Sequence, residues 1–242
     1  MSKKFKGLRC AYCAKKVAFT ADHIFAREFF LPSERANLPQ TPACDTCNND
    51  KSKLEHYLAT VLPFGGRHAD ASENLASMAP KRLEKNARLH RHLQEGQKIA
   101  LVPDKDGNLE DTIAIPFDGE KLERLFSMIA RGLVWHHWSV YLEHGYEVQT
   151  RTVTTRGMQF YEEKLFRKNA RARVSENLGN GTFVYEGVQA IDDPAITAWK
   201  FTVYGGLASY ENTFTPETQG SHLISVTGPL SAFSHANAGG GG

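Results

Sequence analysis

Four cysteines, Cys10, Cys13, Cys44 and Cys47, are the only ones in 242 residues, and they fall as two C-x2-C pairs near the N-terminus. A disulfide-stapled fold spreads cysteines through the body it must staple, whereas paired knuckles followed by a long cysteine-free stretch read as a metal site. Each knuckle offers two thiolates from one tight turn, and four thiolates close the tetrahedral shell that structural zinc takes. Redox dithiols are the competing reading, and two similar pairs flanking one short segment disfavour it. Between the knuckles lies Ala21-Asp22-His23-Ile24; Asn48 follows Cys47 directly, and Lys51 stands three residues further on.

In order, Cys10 and Cys13, Asp22-His23-Ile24, Asn37-Leu38, and Cys44-Asp45-Thr46-Cys47-Asn48-Asn49-Asp50-Lys51 spell C-x2-C, D-H-I, N-L and C-x2-C-N-x2-K. This order resembles the HNH, or ββα-metal, endonucleases in their zinc-stabilised branch, and is similar in particular to phage resolvases of the endonuclease VII kind. The likeness covers about 50 residues of the 242. It implies a treble-clef-like unit of two strands and a helix around one catalytic metal, with the cysteine-bound zinc as scaffold and Asn37 bracing the loop. The chain departs from the family pattern in Phe25-Ala26-Arg27-Glu28-Phe29-Phe30-Leu31-Pro32, which lacks the proline soon after D-H-I and the Gly-Gly before Asn-Leu. The spacing from Asn37 to Cys44 is also longer than usual. Asn49 takes the place of Asn48 if the helix starts one residue later.

Hydrolysing a phosphodiester needs a base for water, a cation for the scissile phosphate and the departing 3′ oxygen, and a frame that fixes both. His23 suits the base, since an unperturbed imidazole titrates at about 6.5. Asp22 is a hard oxygen ligand for Mg²⁺ or Mn²⁺, and the Asn48 amide oxygen is a second. Four cysteines saturate zinc, so two different metals are expected. Adjacent residues of a strand point to opposite faces, so the strand carrying Asp22 and His23 must end or bulge there. Lys51 either touches phosphate or lies in solvent.

The net charge of +2 conceals alternating blocks: residues 1–100 carry 17 basic and 10 acidic groups, 101–149 carry 4 and 9, 150–180 carry 7 and 3, and 181–242 carry 1 and 5. The front block gives a basic nuclease-like module for phosphate. Leu54, Tyr57, Leu58, Val61 and Leu62 predict a helix after the second knuckle, stopped at Pro63-Phe64-Gly65-Gly66. A second helical stretch over 70–94 bends or breaks near Pro80. Strands are predicted at 98–102, 112–117, 182–190, 197–204 and 221–227, a long helix over 119–144, and a basic helical stretch over 156–174. The fold class is therefore α+β: an N-terminal zinc-stabilised ββα-metal module (1–65), a helical connector (66–96), an α+β domain for DNA or partner binding (97–235) and a glycine-rich tail (236–242).

Low-specificity candidates for nucleic-acid contact are Lys51, Arg82, Lys85, Arg88, Arg167, Lys168 and Arg171, each with a solvated surface as the plain alternative. Asp104-x-Asp106-Gly107 with Glu110 faintly matches a calcium loop and reads better as a hairpin turn. Adjacent His136 and His137 diverge by about 100° on a helix, which splits them between surface and core. With no apolar span of about 18 residues and no apolar segment after the N-terminal lysines, the expected setting is cytoplasmic, without a membrane. The expected activity is metal-dependent DNA cleavage, in antiviral defence, mobile-element or phage DNA processing, with a homodimer or protein partner formed through the C-terminal part. A non-catalytic zinc-knuckle nucleic-acid-binding protein is the competing class, and an RNA nuclease a third.

Overall fold

The computed structural model describes residues 4–103, 108–169, 172–206 and 222–234. Strands β1 (Thr20–His23) and β2 (Gln40–Ala43) pair antiparallel, with Asp22 opposite Thr41 and His23 opposite Gln40. Helix α1 (Asp45–Val61) follows at once and has no side-chain cap; Cys44 holds the capping position in extended conformation. The expected metal ligands thus stand where a Ser or Asp would usually begin a helix. Leu54, Leu58 and Val61 form the buried stripe of α1, which passes into a 3-10 turn at Leu62–Gly65.

The expected helical stretch over 70–94 is three helices: α2 (Ala69–Ser77), α3 (Ala79–Lys85) and α4 (Ala87–Gly96). Pro80 sits in the first turn of α3, where its missing N–H costs no helical bond. Asn86 makes the second break, and its side chain accepts the Leu89 N–H at 3.0 Å. Strands β3 (Lys98–Pro103) and β4 (Leu109–Ala114) form a hairpin, with β4 starting earlier than the predicted 112–117. Asp104, Asp106 and Gly107 lie outside the described residues.

Helix α5 (Gly119–Trp138) buries Leu122, Leu125, Phe126, Ile129, Leu133 and Val134. It stops short of the predicted His144 because Ser139 turns left-handed (φ 55°) and its N–H closes on the Trp135 carbonyl at 2.8 Å. Gly132 lets α5 approach the turn after β1, since a Cβ there would lie 3.2 Å from Ile24 Cγ1.

The remainder comprises β5 (Tyr146–Val153), α6 (Thr155–Tyr161), a π turn at Glu162–Phe166, β6 (Arg173–Leu178), β7 (Phe183–Gln189), β8 (Thr197–Val203), β9 (His222–Pro229) and α7 (Leu230–Ser234). Its five strands form one antiparallel sheet in the order β5-β9-β8-β7-β6. The two unpredicted strands, β5 and β6, are the two edges. One cluster of buried side chains joins Ile24, Phe25 and Phe29 after β1, Leu54 and Leu58 of α1, Phe126 and Ile129 of α5, and Phe183 and Trp199 of the sheet. The mixed α+β chain therefore packs through α5, which carries the β1–β2–α1 unit on the sheet. Among the described residues no helix is long and apolar enough to cross a membrane.

Candidate functional site

The first knuckle is a tight turn: Cys10 N–H donates to the Lys16 carbonyl, Ala14 N–H donates to the Cys10 carbonyl, both at 2.8 Å, and Ala14 takes φ 55°. With Cys44 and Cys47 at the head of α1, all four sulfurs lie within 4.8 Å of one another. Zinc–sulfur bonds of about 2.3 Å in a tetrahedron space the sulfurs by about 3.8 Å, so a small closure brings the four onto one ion. Burial pushes the Cys10 thiol up to about 11 against backbone hydrogen bonds from Cys44, Cys13 and Tyr12, and pushes Cys47 higher still, there reinforced by the neighbouring cysteines. Cys13 is held at about 7: burial would raise it, but backbone groups of Lys16 and Lys15 and contacts with Cys10 and Cys47 outweigh that. Sulfurs this close become thiolates together only against a cation, and the cluster can hold a metal such as zinc.

On the face of the hairpin toward α1, Tyr12 donates its hydroxyl to Asp22 Oδ2 at 2.5 Å. Lys51 Nζ reaches the same oxygen at 3.0 Å, donates to the His23 carbonyl at 2.7 Å and pairs with Glu55 one turn along α1. The Lys51 side chain is 0% exposed. It therefore neither touches phosphate nor lies in solvent, which corrects both expectations, because two carboxylates and a carbonyl hold it inside. Burial lifts the Glu55 carboxyl to about 7 against the pull of Lys51. Asn48 is half-buried one turn before Lys51, on the same side of α1, while Asn49 is exposed.

The His23 ring belongs to the other face. β1 ends at His23, and its cross-strand neighbour Gln40 places Nε2 at 3.3 Å from His23 Nε2. As an amide donor, Gln40 selects the neutral tautomer that carries its proton on Nδ1. Burial lowers the imidazole's pKa below the ordinary 6.5; Asp22 works against this, and Arg27 and Lys51 with it. The ring is therefore neutral near pH 7. It lines a cavity of about 500 Å³ together with Asn37, Gln40, His136 of α5, Glu176 of β6 and Tyr185 of β7. Asn37 is exposed and left-handed (φ 57°). His136 Nδ1 lies 3.2 Å from the Gln40 carbonyl. Its neighbour His137 turns inward, with Nε2 at 2.9 Å from the Tyr185 hydroxyl and its ring stacked on Trp199. Burial, and then His136, lower the His137 pKa to about 4.

The fold thus brings His23 and Asn37 to one cavity, and Asp22 and Asn48 to the α1 face behind it, with Lys51 bonded to both Asp22 and His23. Sequence reasoning missed Tyr12, Gln40 and Glu55, whereas the split expected of His136 and His137 is present, His136 being exposed and His137 turned inward. Glu55 was signalled by its i,i+4 spacing from Lys51. Tyr12 and Gln40 meet their partners only through tertiary packing.

Among the basic candidates, Arg82 is half-buried and tied into the fold. Its guanidinium donates to the Ala59 carbonyl at 2.7 Å, Asn74 Oδ1 at 2.9 Å and the Glu28 carbonyl at 2.7 Å, tying α3 to α1 and α2. Lys85, Arg88, Arg167 and Lys168 are exposed, and Arg171 lies outside the described residues. No family model matches the chain, and neither the curated proteins nor the solved structures contain a match to it.

Proposed function

We propose that the protein is a metal-dependent endonuclease of the HNH type that hydrolyses DNA phosphodiester bonds, with zinc on the four cysteines as a structural staple. The observation that supports this most is His23 at the end of β1, neutral near pH 7, lining a cavity and followed by β2 and a helix whose first turn is pinned by cysteines. The α1 face carries hard oxygen donors of the kind a divalent ion takes. The contacts of Asp22 with Tyr12 and Lys51 both fall on Oδ2, and Asn48 offers an amide on the helical side that carries Lys51. Asp22 and Asn48 would hold Mg²⁺ or Mn²⁺, and the ion would supply charge neutralisation to a phosphate lying across the end of β1, where the His23 ring on the opposite face can reach it as well.

The chain's own groups do the rest. His23 Nε2 takes the proton of the attacking water, which requires the Gln40 amide to yield its place on that lone pair. Lys51 fixes the Asp22 carboxylate and the His23 carbonyl at once, so the strand end cannot twist away. In-line attack leaves 5′-phosphate and 3′-hydroxyl ends. One site cuts one strand, and a duplex break needs a second copy or a second event.

The decisive experiment incubates the protein with supercoiled plasmid and Mg²⁺ or Mn²⁺, beside His23→Ala and a chelated control. Cleavage is expected, falling on the order of 10²-fold or more in His23→Ala. Cleavage that survives the substitution sinks the mechanism. A second reading, a non-catalytic zinc-knuckle nucleic-acid-binding protein, is favoured by the Lys51 ammonium already balancing Asp22. It predicts nucleic-acid binding with no cleavage of plasmid or of structured and single-stranded RNA, whereas cleavage of RNA alone makes the protein a ribonuclease.

A further inference from the structure

The His23 cavity is walled on two sides by different parts of the fold: the β1–β2 hairpin contributes His23 and Gln40, while α5 and the sheet contribute His136, Glu176, Leu178 and Tyr185. At about 500 Å³ it has the size of a small-ligand pocket. A B-form duplex keeps its bases stacked inside and its phosphates on a convex surface, so it cannot bring a nucleotide between two such walls. An unpaired nucleotide can.

The chemistry of the walls orients such a nucleotide. Lys4, whose ammonium lies 5.0 Å from the Phe5 ring, joins His23 in the lining, and its positive charge suits a phosphate. Glu176, an exposed residue on the edge strand β6, brings a carboxylate that repels phosphate and accepts hydrogen bonds from amino groups. Leu178 supplies apolar surface, while Tyr185, almost wholly buried, backs the lining with its hydroxyl fixed by the His137 contact. Gln40 stands between His23 and His136, its side-chain amide against the first and its main-chain carbonyl against the second.

We infer that this cavity binds one unpaired nucleotide, phosphate toward Lys4 and His23 and base toward Glu176, so that the protein acts on single-stranded or locally unpaired nucleic acid. This deepens the nuclease proposal and rests on it only for cleavage, since binding is separately measurable. Glu176 is the specificity-determining residue. Cytosine, adenine and guanine carry an exocyclic amino group for it, and thymine does not.

The test uses the full-length protein with two readouts. In the first, calorimetric titration with the four deoxynucleoside 5′-monophosphates is run on the wild type and on Glu176→Gln and His136→Ala. In the second, oligonucleotides of one sequence are offered to the wild type as single strand, perfect duplex and duplex with one unpaired nucleotide. Expected are tighter binding of dCMP than of dTMP, a dCMP-to-dTMP affinity ratio cut about tenfold by Glu176→Gln, and processing of the two unpaired substrates at least about tenfold faster than the duplex. No monophosphate binding, or a ratio indifferent to Glu176→Gln, overturns the inference, as does equal cleavage of duplex and single strand. Base-selective binding that depends on Glu176, without cleavage of any substrate, sustains the pocket and removes the nuclease proposal. His23-dependent cleavage without a preference for unpaired substrates does the reverse.

Discussion

At the scale of single residues, His23 and Lys51 make the sharpest demands. Burial lowers the His23 pKa, helped by Arg27 and Lys51 and opposed by Asp22. A general base works deprotonated, so kcat/KM for cleavage should rise with pH along an acid limb whose midpoint lies below 6.5. A midpoint above that value in a pH–rate profile contradicts the assignment. Lys51→Met removes one of the lowering cations, so the limb should move to higher pH. The same change leaves Asp22 and Glu55 without their shared ammonium. Breaking a buried pair from one side costs on the order of 3–5 kcal/mol, and denaturant unfolding should read a loss of that size. Glu55→Gln in the Lys51→Met background should recover part of it, because a neutral amide replaces a carboxyl that burial already holds at about 7. An exposed lysine would cost little on either count.

At the scale of elements, the end of α5 decides where His136 and His137 stand. Ser139 occupies the left-handed position that glycine favours at a helix C-terminus, with its N–H on the Trp135 carbonyl at 2.8 Å. Ser139→Gly should therefore stabilise the fold by about 0.5–1 kcal/mol, read as a higher Tm, whereas a lowered Tm would mean that the hydroxyl carries a contact of its own. No residue of the 119–144 run announces this stop: apolar periodicity continues through Tyr141 and Leu142, and the turn at a serine is imposed by packing. Edge strands β5 and β6 were hidden for a related reason. Each pairs with only one neighbour and leaves much of its length exposed, so Arg173-Val174-Ser175-Glu176-Asn177-Leu178 reads as the tail of a basic helix. By contrast the cysteine pairs and the buried stripe of α1 were legible, because chelation and helix periodicity are written in local spacing. Gln40 and Tyr12 carry no such local signal; each matters only once β2, the knuckle and α5 have met.

At the scale of the whole molecule, the question is whether the cysteine-held unit stands apart from the sheet. The sequence suggests a small module, a connector and a larger domain, yet Ile24, Phe25 and Phe29 bury themselves against Phe126 and Phe183, and Gly132 is shaped to admit Ile24. Removing metal from the cysteines frees both the knuckle and the first turn of α1. That loosening should pass through α5 into the sheet, where Trp138 and Trp199 lie 5.1 Å apart at its centre. Chelation is thus expected to lower one cooperative transition. Far-UV circular dichroism and tryptophan fluorescence should report the same reduced Tm, with one equivalent of zinc released. The effect should shrink as pH falls, because protons compete with the ion for the thiolates and the bound metal then stabilises less. An N-terminal unit that melts alone, leaving the tryptophan signal at its original temperature, would show that the shared core is too weak to couple the two. In that event the wall of the His23 cavity contributed by Glu176 and Tyr185 would be free to part from the hairpin, and the single-nucleotide pocket would lose its rigid frame.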